Sequence, residues 1–378
     1  MKASAIHDEH AMLKSLEGYD LIILTMVVVL TCFGVVMVYS ASSIMAAKKF
    51  HDSFFFLKRQ GLYAIAGFIV MYAAMRLDYH FWRKAAVPVL IACLVCLLLV
   101  FIPGIGGSAK GATRWIRFPG FNFQPAELAK VALIIFMAYS LDRKQDQIRW
   151  FKGLVPYMLI LMLMIGLLMI QPDMGSSMTL AGVAMVMLFA AGMRVSHVIS
   201  IALFSAPFVY YAIRHKEYRW RRITSFLNPW ADPGNTGFQI IQSWLAFGTG
   251  GITGQGLGEG KQKLFYLPEA HTDFILSVIG EELGFIGTVT VAAMFFLLVH
   301  RSIRVAVYAE DSFGRFLALG IAVLIGAQAF VNIAVVMGLL PTKGLALPFI
   351  SYGGSSLIIS LFSIGILLNI SSRMRGVP

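Results

Sequence analysis

The apolar positions of this chain fall into long unbroken runs separated by polar punctuation. Ten can be counted, at residues 21 to 41, 60 to 75, 86 to 103, 125 to 141, 154 to 170, 174 to 193, 196 to 213, 274 to 299, 316 to 338 and 354 to 371. Each approaches the roughly 20 apolar residues with which a helix crosses a bilayer. The alternation of a barrel strand is absent, and lipid satisfies no backbone polar group, so helices are the spanning form expected. The predicted fold class is an all-α polytopic integral membrane protein with ten transmembrane helices. A long extracytoplasmic loop is expected between the seventh and the eighth.

Composition agrees with that pattern: 58% of residues are hydrophobic and only 13% charged, against roughly 25% charged in globular chains. No large soluble domain fits between the runs. The expected organisation is a single membrane domain over 1 to 378, with a cytoplasmic arm at 1 to 20, a large extracytoplasmic loop at 214 to 273 and a cytoplasmic tail at 372 to 378. The first run is too long for a signal sequence and has no small-residue cleavage site behind it, so it reads as an uncleaved anchor. Cys32, Cys93 and Cys96 lie inside apolar runs, where they behave as small hydrophobes rather than as a disulfide framework.

Charge bears on orientation. The net charge is +12, and Lys and Arg divide evenly between the two sets of connections. Setting aside the long seventh connection leaves the basic excess on the side of the termini, which the positive-inside rule places in the cytoplasm. Arg214, Lys216, Arg219, Arg221, Arg222, Lys261 and Lys263 then stand on the outer side. They are either solvated or arranged to attract an anionic ligand. No nucleic-acid partner is expected.

That seventh connection is rich in aromatic residues, Gly and Pro, and its length marks it as functional. Residues 240 to 247 read as a short interfacial helix anchored by Trp244. The run GTGGITGQGLGEGK fails as a phosphate-binding loop, because Gln255 and Gln262 stand where Gly and Ser or Thr are required. Its glycines are expected to supply tight turns and backbone N–H groups for an oxyanion. The histidines are scattered and no metal-binding spacing exists, so no cofactor is evident; a divalent cation could accompany a phosphorylated lipid.

Ionisable groups at membrane depth are costly and face a partner or a cavity. Glu127 and Lys130, three apart, can close as an intrahelical ion pair. Asp173 stands where a helix N-cap is wanted. Glu281 and Glu282 project about 80° and 180° around a helix from Asp273 and cannot both face one site. Asp273, at the outer mouth of a helix behind the basic loop, is the best-placed ionisable group.

The runs KGATRWIRFPGFNFQPAELAK, QPDMGSS, RWRRITSFLNPWADPGNTGFQIIQS, LPEAHTDFILSVIGEELGFIG and PTKGLALPFISYGGSSL resemble, in order and across all ten runs, the SEDS family (shape, elongation, division and sporulation proteins). AKGATRWI, LNPWADP and TKGLALPFISYGGSS resemble its division branch more than its elongation branch. The resemblance implies the SEDS fold and a peptidoglycan glycosyltransferase that polymerises lipid II at the outer face of the bacterial inner membrane, at the septum. It implies a class B penicillin-binding protein as transpeptidase partner, alongside other division proteins. The family's essential aspartate falls on Asp273, its activity-linked tryptophan on Trp115, and its polar helix motif on Glu127 and Lys130. Lys343, Ser351 and His271 are further candidates for substrate contact. An acidic residue found in some relatives is replaced here by Phe265, so its role does not carry over.

The chemistry asks for one carboxylate and several cations. A sugar hydroxyl must lose its proton, whereas a departing diphosphate is a stable anion that needs no protonation. Asp273 is the expected base, and Arg114, Arg219, Arg221, Arg222, Lys261 and Lys263 are candidates to neutralise the leaving group. Trp115 reads as a sugar-stacking or lid residue, or as an interfacial anchor. The alternatives are a lipid II flippase, an elongation-type polymerase and a division scaffold without catalysis.

Overall fold

The computed structural model describes residues 18–109, 112–118, 121–262 and 267–374. Each of the ten apolar runs falls on a helix. In chain order these are α1 (Leu21–Phe50), α2 (Phe55–Arg76), α3 (His80–Leu99), α4 (Pro125–Lys144), α5 (Phe151–Ile170), α6 (Met174–Ala190) and α7 (Val195–Arg214). After α8 (Glu217–Leu227) and α9 (Phe238–Gly250) come α10 (Ile275–Tyr308), α11 (Ser312–Val336) and α12 (Gly354–Ser371). Seven of them, α1, α3, α5, α7, α10, α11 and α12, are long and apolar enough to cross a membrane. By contrast α2 carries Lys58 and Arg59, α4 carries Glu127 and Lys130, and α6 is shorter.

Between α3 and α4 the chain forms a three-stranded antiparallel sheet that the runs did not predict: β1 (Gly106–Ala109), β2 (Ala112–Phe118) and β3 (Phe121–Phe123). Strand geometry puts alternate residues on opposite faces. Trp115 and Arg117 therefore share one face of β2, with Ile116 on the other, while Arg114 falls where the ladder with β1 shifts register. Ser355, at the start of α12, ties the sheet to the bundle: its hydroxyl donates to the Asn122 carbonyl at 3.1 Å and accepts the Gln124 N–H at 3.0 Å.

At the centre α4 and α11 pack on one another, with α3 against α4, α6 against both and α10 against α11, while α2 runs along α12. Small residues allow that last approach, since a Cβ at Gly365 would lie 2.4 Å from the Met71 carbonyl oxygen. Helix α7 is different. It buries no residue fully, and only a narrow strip that includes Val198 and Ile201 packs against the bundle.

One end of the bundle is closed by charge. Asp20 caps α1 by accepting the Ile22 and Ile23 N–H groups, pairs with Arg301 of α10 at 2.9 Å, and donates its own N–H to Ser371 Oγ of α12. Beside it the Tyr79 hydroxyl donates to Asp311, and Asp78 pairs with Arg373.

Candidate functional site

The segment His271–Asp273 lies immediately before α10, and its backbone is fixed from three directions. Glu269, at φ 60°, turns the chain so that its carbonyl accepts the Thr272 and Phe274 N–H groups. The next three carbonyls then each meet a donor from elsewhere. That of His271 accepts the Tyr352 N–H at 3.0 Å, that of Thr272 the Ser351 hydroxyl at 2.6 Å, and that of Asp273 the Asn332 amide at 2.8 Å. The residue preceding α10 is Phe274, which makes no side-chain cap, so Asp273 does not serve as the helix cap.

The loop from Pro341 to Gly353 supplies two of these donors and is itself strained. Phe349 is buried yet holds φ 65°, a left-handed conformation unfavourable for a bulky residue. Ser351 stabilises the turn by accepting the Leu347 N–H at 2.9 Å, and Gln60 of α2 donates to the Ser351 carbonyl. Asn332 binds both Asp273 and the Leu345 carbonyl, joining α11, this loop and the predicted base. The Asp273 carboxylate faces the Gly344 backbone, where a Cβ would lie 3.3 Å from Oδ2. Next to it, Lys343 rests its ammonium 3.0 Å from the Met178 sulfur. Burial pushes that ammonium below the ordinary lysine pKa.

Ten residues beyond the segment, α10 breaks. Gly284 has φ 67° and ψ −162°, a region open essentially to Gly. A break frees backbone groups that must be paired again in an apolar setting. The Gly-rich run does this: Gln255 and Gly256 N–H donate to the Glu281 and Glu282 carbonyls, while Phe285 and Ile286 N–H donate to Gly251 and Ile252. The fit is close, since a Cβ at Gly254 would lie 2.1 Å from the Glu282 carbonyl oxygen. The same loop presents the Lys261 and Gln262 N–H groups to the Glu281 carboxylate. The anion that this stretch of backbone meets is thus a side chain of the protein. Glu282 turns the other way and accepts from Ser40 of α1 at 2.7 Å, as the helical angles required.

A cavity of about 370 Å³ opens beside the segment, and Trp115, Arg117, Arg59, His271 and Tyr352 are among its walls. It gathers the start of α2, the sheet, the segment before α10 and the loop before α12. Trp115 and His271 are the predicted residues that line it. Ser351, next to Tyr352, is buried and engaged with backbone. Arg114 is not among the cavity's walls and holds the turn into α6 by donating to the Gln171 and Pro172 carbonyls. Glu127 and Lys130 close on each other at 2.7 Å, with Lys130 buried.

The basic residues of α8 are not among the walls of this cavity. Arg219 is buried and donates to the Ala212 carbonyl and the Tyr218 hydroxyl; Arg221 pairs with Glu217; Arg222 lies 5.8 Å from the Tyr218 ring. The Lys261 side chain is exposed, and Lys263 and Phe265 lie outside the described residues. Trp244 does not act as a free anchor, since its indole N–H donates to the Met337 carbonyl at the end of α11. Arg59, Tyr63, Arg117, Asn122 and Asn332 escaped sequence reasoning, because nothing local brings a residue of α2 or α11 to a site read from a loop. The β2 alternation could have paired Arg117 with Trp115. Among the described residues, no group of three or more His, Cys, Asp or Glu is placed to hold a metal ion.

Residues 20–376 match the family model of the FtsW/RodA/SpoVE proteins, described as cell cycle proteins. The chain is 66% identical to the "Probable peptidoglycan glycosyltransferase FtsW" of Geobacter metallireducens, over 97% of this chain and 98% of that protein. It is 44% identical to the stage V sporulation protein E of Bacillus subtilis, over 94% and 98%. Among solved structures it resembles a chain of a peptidoglycan synthase complex that coordinates polymerization and crosslinking, with TM-score 0.77, 29% identity and coverage of 93% and 97%. It also resembles the rod shape determining protein RodA of Thermus thermophilus, with TM-score 0.70, 26% identity and coverage of 95% and 98%. Motifs, helical architecture and relatives agree: the chain belongs to the FtsW/RodA/SpoVE family, the SEDS proteins.

Proposed function

We propose that this chain is a peptidoglycan glycosyltransferase that polymerises lipid II during septal wall synthesis. The observation that carries the reading is the fixed placement of Asp273. Three donors set its backbone, its carboxylate is half-buried, and the Lys343 loop lies against it. In the reaction the 4-hydroxyl of one lipid-linked disaccharide attacks the anomeric carbon of another. A carbon–oxygen bond forms, the bond to the diphosphate breaks, and configuration inverts. Asp273 takes the hydroxyl proton, and the electron pair leaves on the diphosphate. The Lys343 ammonium, desolvated and beside the base, is suited to balance that charge. A divalent cation would enter with the diphosphate as part of the substrate. Trp115 and His271 offer ring faces to a sugar.

The relatives support a multi-pass setting in the inner membrane; the arrangement we read for it has ten spans, both termini in the cytoplasm and Asp273 on the outer face. The likeness to a chain of a peptidoglycan synthase complex supports a class B penicillin-binding protein as partner. The protein reconstituted in vesicles with labelled lipid II should make glycan strands. Transfer of lipid II between leaflets without strands would instead establish a flippase. An unaltered ability of Asp273→Asn to complement a deletion strain would leave only the scaffold.

A further inference from the structure

The cavity beside His271 has a chemistry of its own. Arg59 of α2 and Arg117 of β2 both line it, together with Trp115, Tyr63 and Tyr352. Arg59, Tyr63 and Asn122 continue into an adjoining space of about 200 Å³ walled by Phe118 and Phe121. Among the described residues, no carboxylate lines either space. The arginines are also positioned by their surroundings. The Arg59 guanidinium lies 4.5 Å from the Phe55 ring, and Tyr352 shares its wall of the cavity. Gly107 leaves room for the other, since a Cβ there would lie 2.8 Å from Arg117 Nε. Two guanidinium groups among aromatic faces, without a lining acid, suit a phosphorylated sugar. The volume lies in the range of about 300–1,000 Å³ typical of small-molecule sites.

The Asp273 carboxylate is not among the walls of this space. His271 and Thr272 belong to the cavity wall, whereas the Asp273 carboxylate faces Gly344 and the Lys343 loop. The joining of two lipid-linked sugars involves two diphosphates at unequal distances from the reacting atoms. The departing one is bonded to the carbon under attack and must lie close to the base. The other belongs to the attacking molecule, a disaccharide away from its reacting hydroxyl, and keeps both its bonds. We infer that the Arg59–Arg117 cavity holds this retained diphosphate, the acceptor's, while the departing diphosphate lies on the Lys343 side of the segment. The assignment rests on the glycosyltransferase reading above. It divides the site into a remote anchoring pocket and a reactive pocket.

The test uses the full chain in vesicles, with lipid II as probe and neutral undecaprenol as control. In an Asp273→Asn background, lipid II should bind in two classes of site. Adding Arg59→Gln and Arg117→Gln should weaken one class at least about tenfold, remove the salt dependence of that class, and leave the other class unchanged. With Asp273 intact, the same pair should raise KM for lipid II about tenfold and lower kcat by a smaller factor. Arg59→Lys with Arg117→Lys should recover part of the binding. Because both side chains are exposed, the thermal midpoint should move little; if the pair does not fold, single Arg117→Gln gives the same readout. Two classes persisting at unchanged affinity in the folded variant, a loss confined to kcat at constant KM, or equal binding of undecaprenol would overturn the assignment. Wild-type polymerisation by Asp273→Asn would overturn the role of Asp273 as base, absence of strands from the unaltered protein would overturn the enzyme reading, and either leaves the binding result standing.

Discussion

Ser351 and Thr272 are 79 residues apart in the chain and meet through one hydrogen bond, 2.6 Å from the serine hydroxyl to the threonine carbonyl. The same hydroxyl accepts the Leu347 N–H, so it sets both the loop before α12 and the carbonyl preceding Asp273. Ser351→Ala leaves two buried backbone groups without that partner, at about 1–3 kcal/mol each. We expect a lower thermal midpoint and a fall in kcat larger than any rise in KM. A variant with wild-type kcat would show that Asp273 keeps its place without this bond.

Asp273→Asn keeps the size of the side chain and removes its basicity. A positioned general base contributes about 10²–10⁴-fold to a rate. Polymer formation should fall by at least that lower bound, while membrane insertion and lipid II binding persist. Strand synthesis at an undiminished rate, read on a gel of labelled glycan, would exclude Asp273 as the base.

Lys343 gives the activity an alkaline limit. Burial lowers its folded pKa beneath the ordinary 10.5. Between those two values the unfolded chain binds more protons, so this residue's contribution to stability rises with pH. Activity should move the opposite way, because the ammonium proposed to balance the diphosphate is lost as pH climbs through the folded value. Lys343→Arg should shift this alkaline limb upward, a guanidinium staying charged throughout. Superimposable pH–rate profiles would show that the limb belongs to another group.

The break in α10 depends on two glycines. Gly284→Ala forces a side chain into a conformation open essentially to Gly, and Gly254→Ala drives a methyl into the Glu282 carbonyl. Each should lower the thermal midpoint, and the cost of a strained position alone is about 1–3 kcal/mol. An unshifted unfolding curve for either would mean that the loop relaxes away from the helix.

At the opposite end, Arg301→Leu leaves the buried Asp20 carboxylate without its guanidinium. Breaking a buried pair by removing one partner costs about 3–5 kcal/mol. Restoration of stability by the double variant with Asp20→Asn, which can still accept the α1 N–H groups, is the expected outcome. Equal melting of all three proteins would make the pair dispensable.

The helices were legible because crossing lipid imposes long apolar runs, and each run duly falls on a helix. The position of the HTDF segment at the start of a helix was legible, and the structure places it there. What escaped depends on long-range pairing. The strands around Trp115 run only three to seven residues, too short to set up a periodic pattern that would announce them. The break at Gly284 is invisible locally, since the residues around it remain apolar. Charge alone also drew attention to Arg219 and Arg221, whose partners, Ala212 and Glu217, are only a turn or two away. Arg59 and Arg117 instead reach one cavity from elements that no sequence spacing connects.

The mutual stitching of residues 250–262 to the α10 break at Gly284 constrains how such proteins can be recombined. A chimera that exchanges only one of the two segments would strand peptide groups inside the bundle, whereas moving both together transfers a self-contained unit. Activity swaps between relatives should therefore cut before Phe238 and after Ile286, so that the donor's loop arrives with the helix break it was shaped to close.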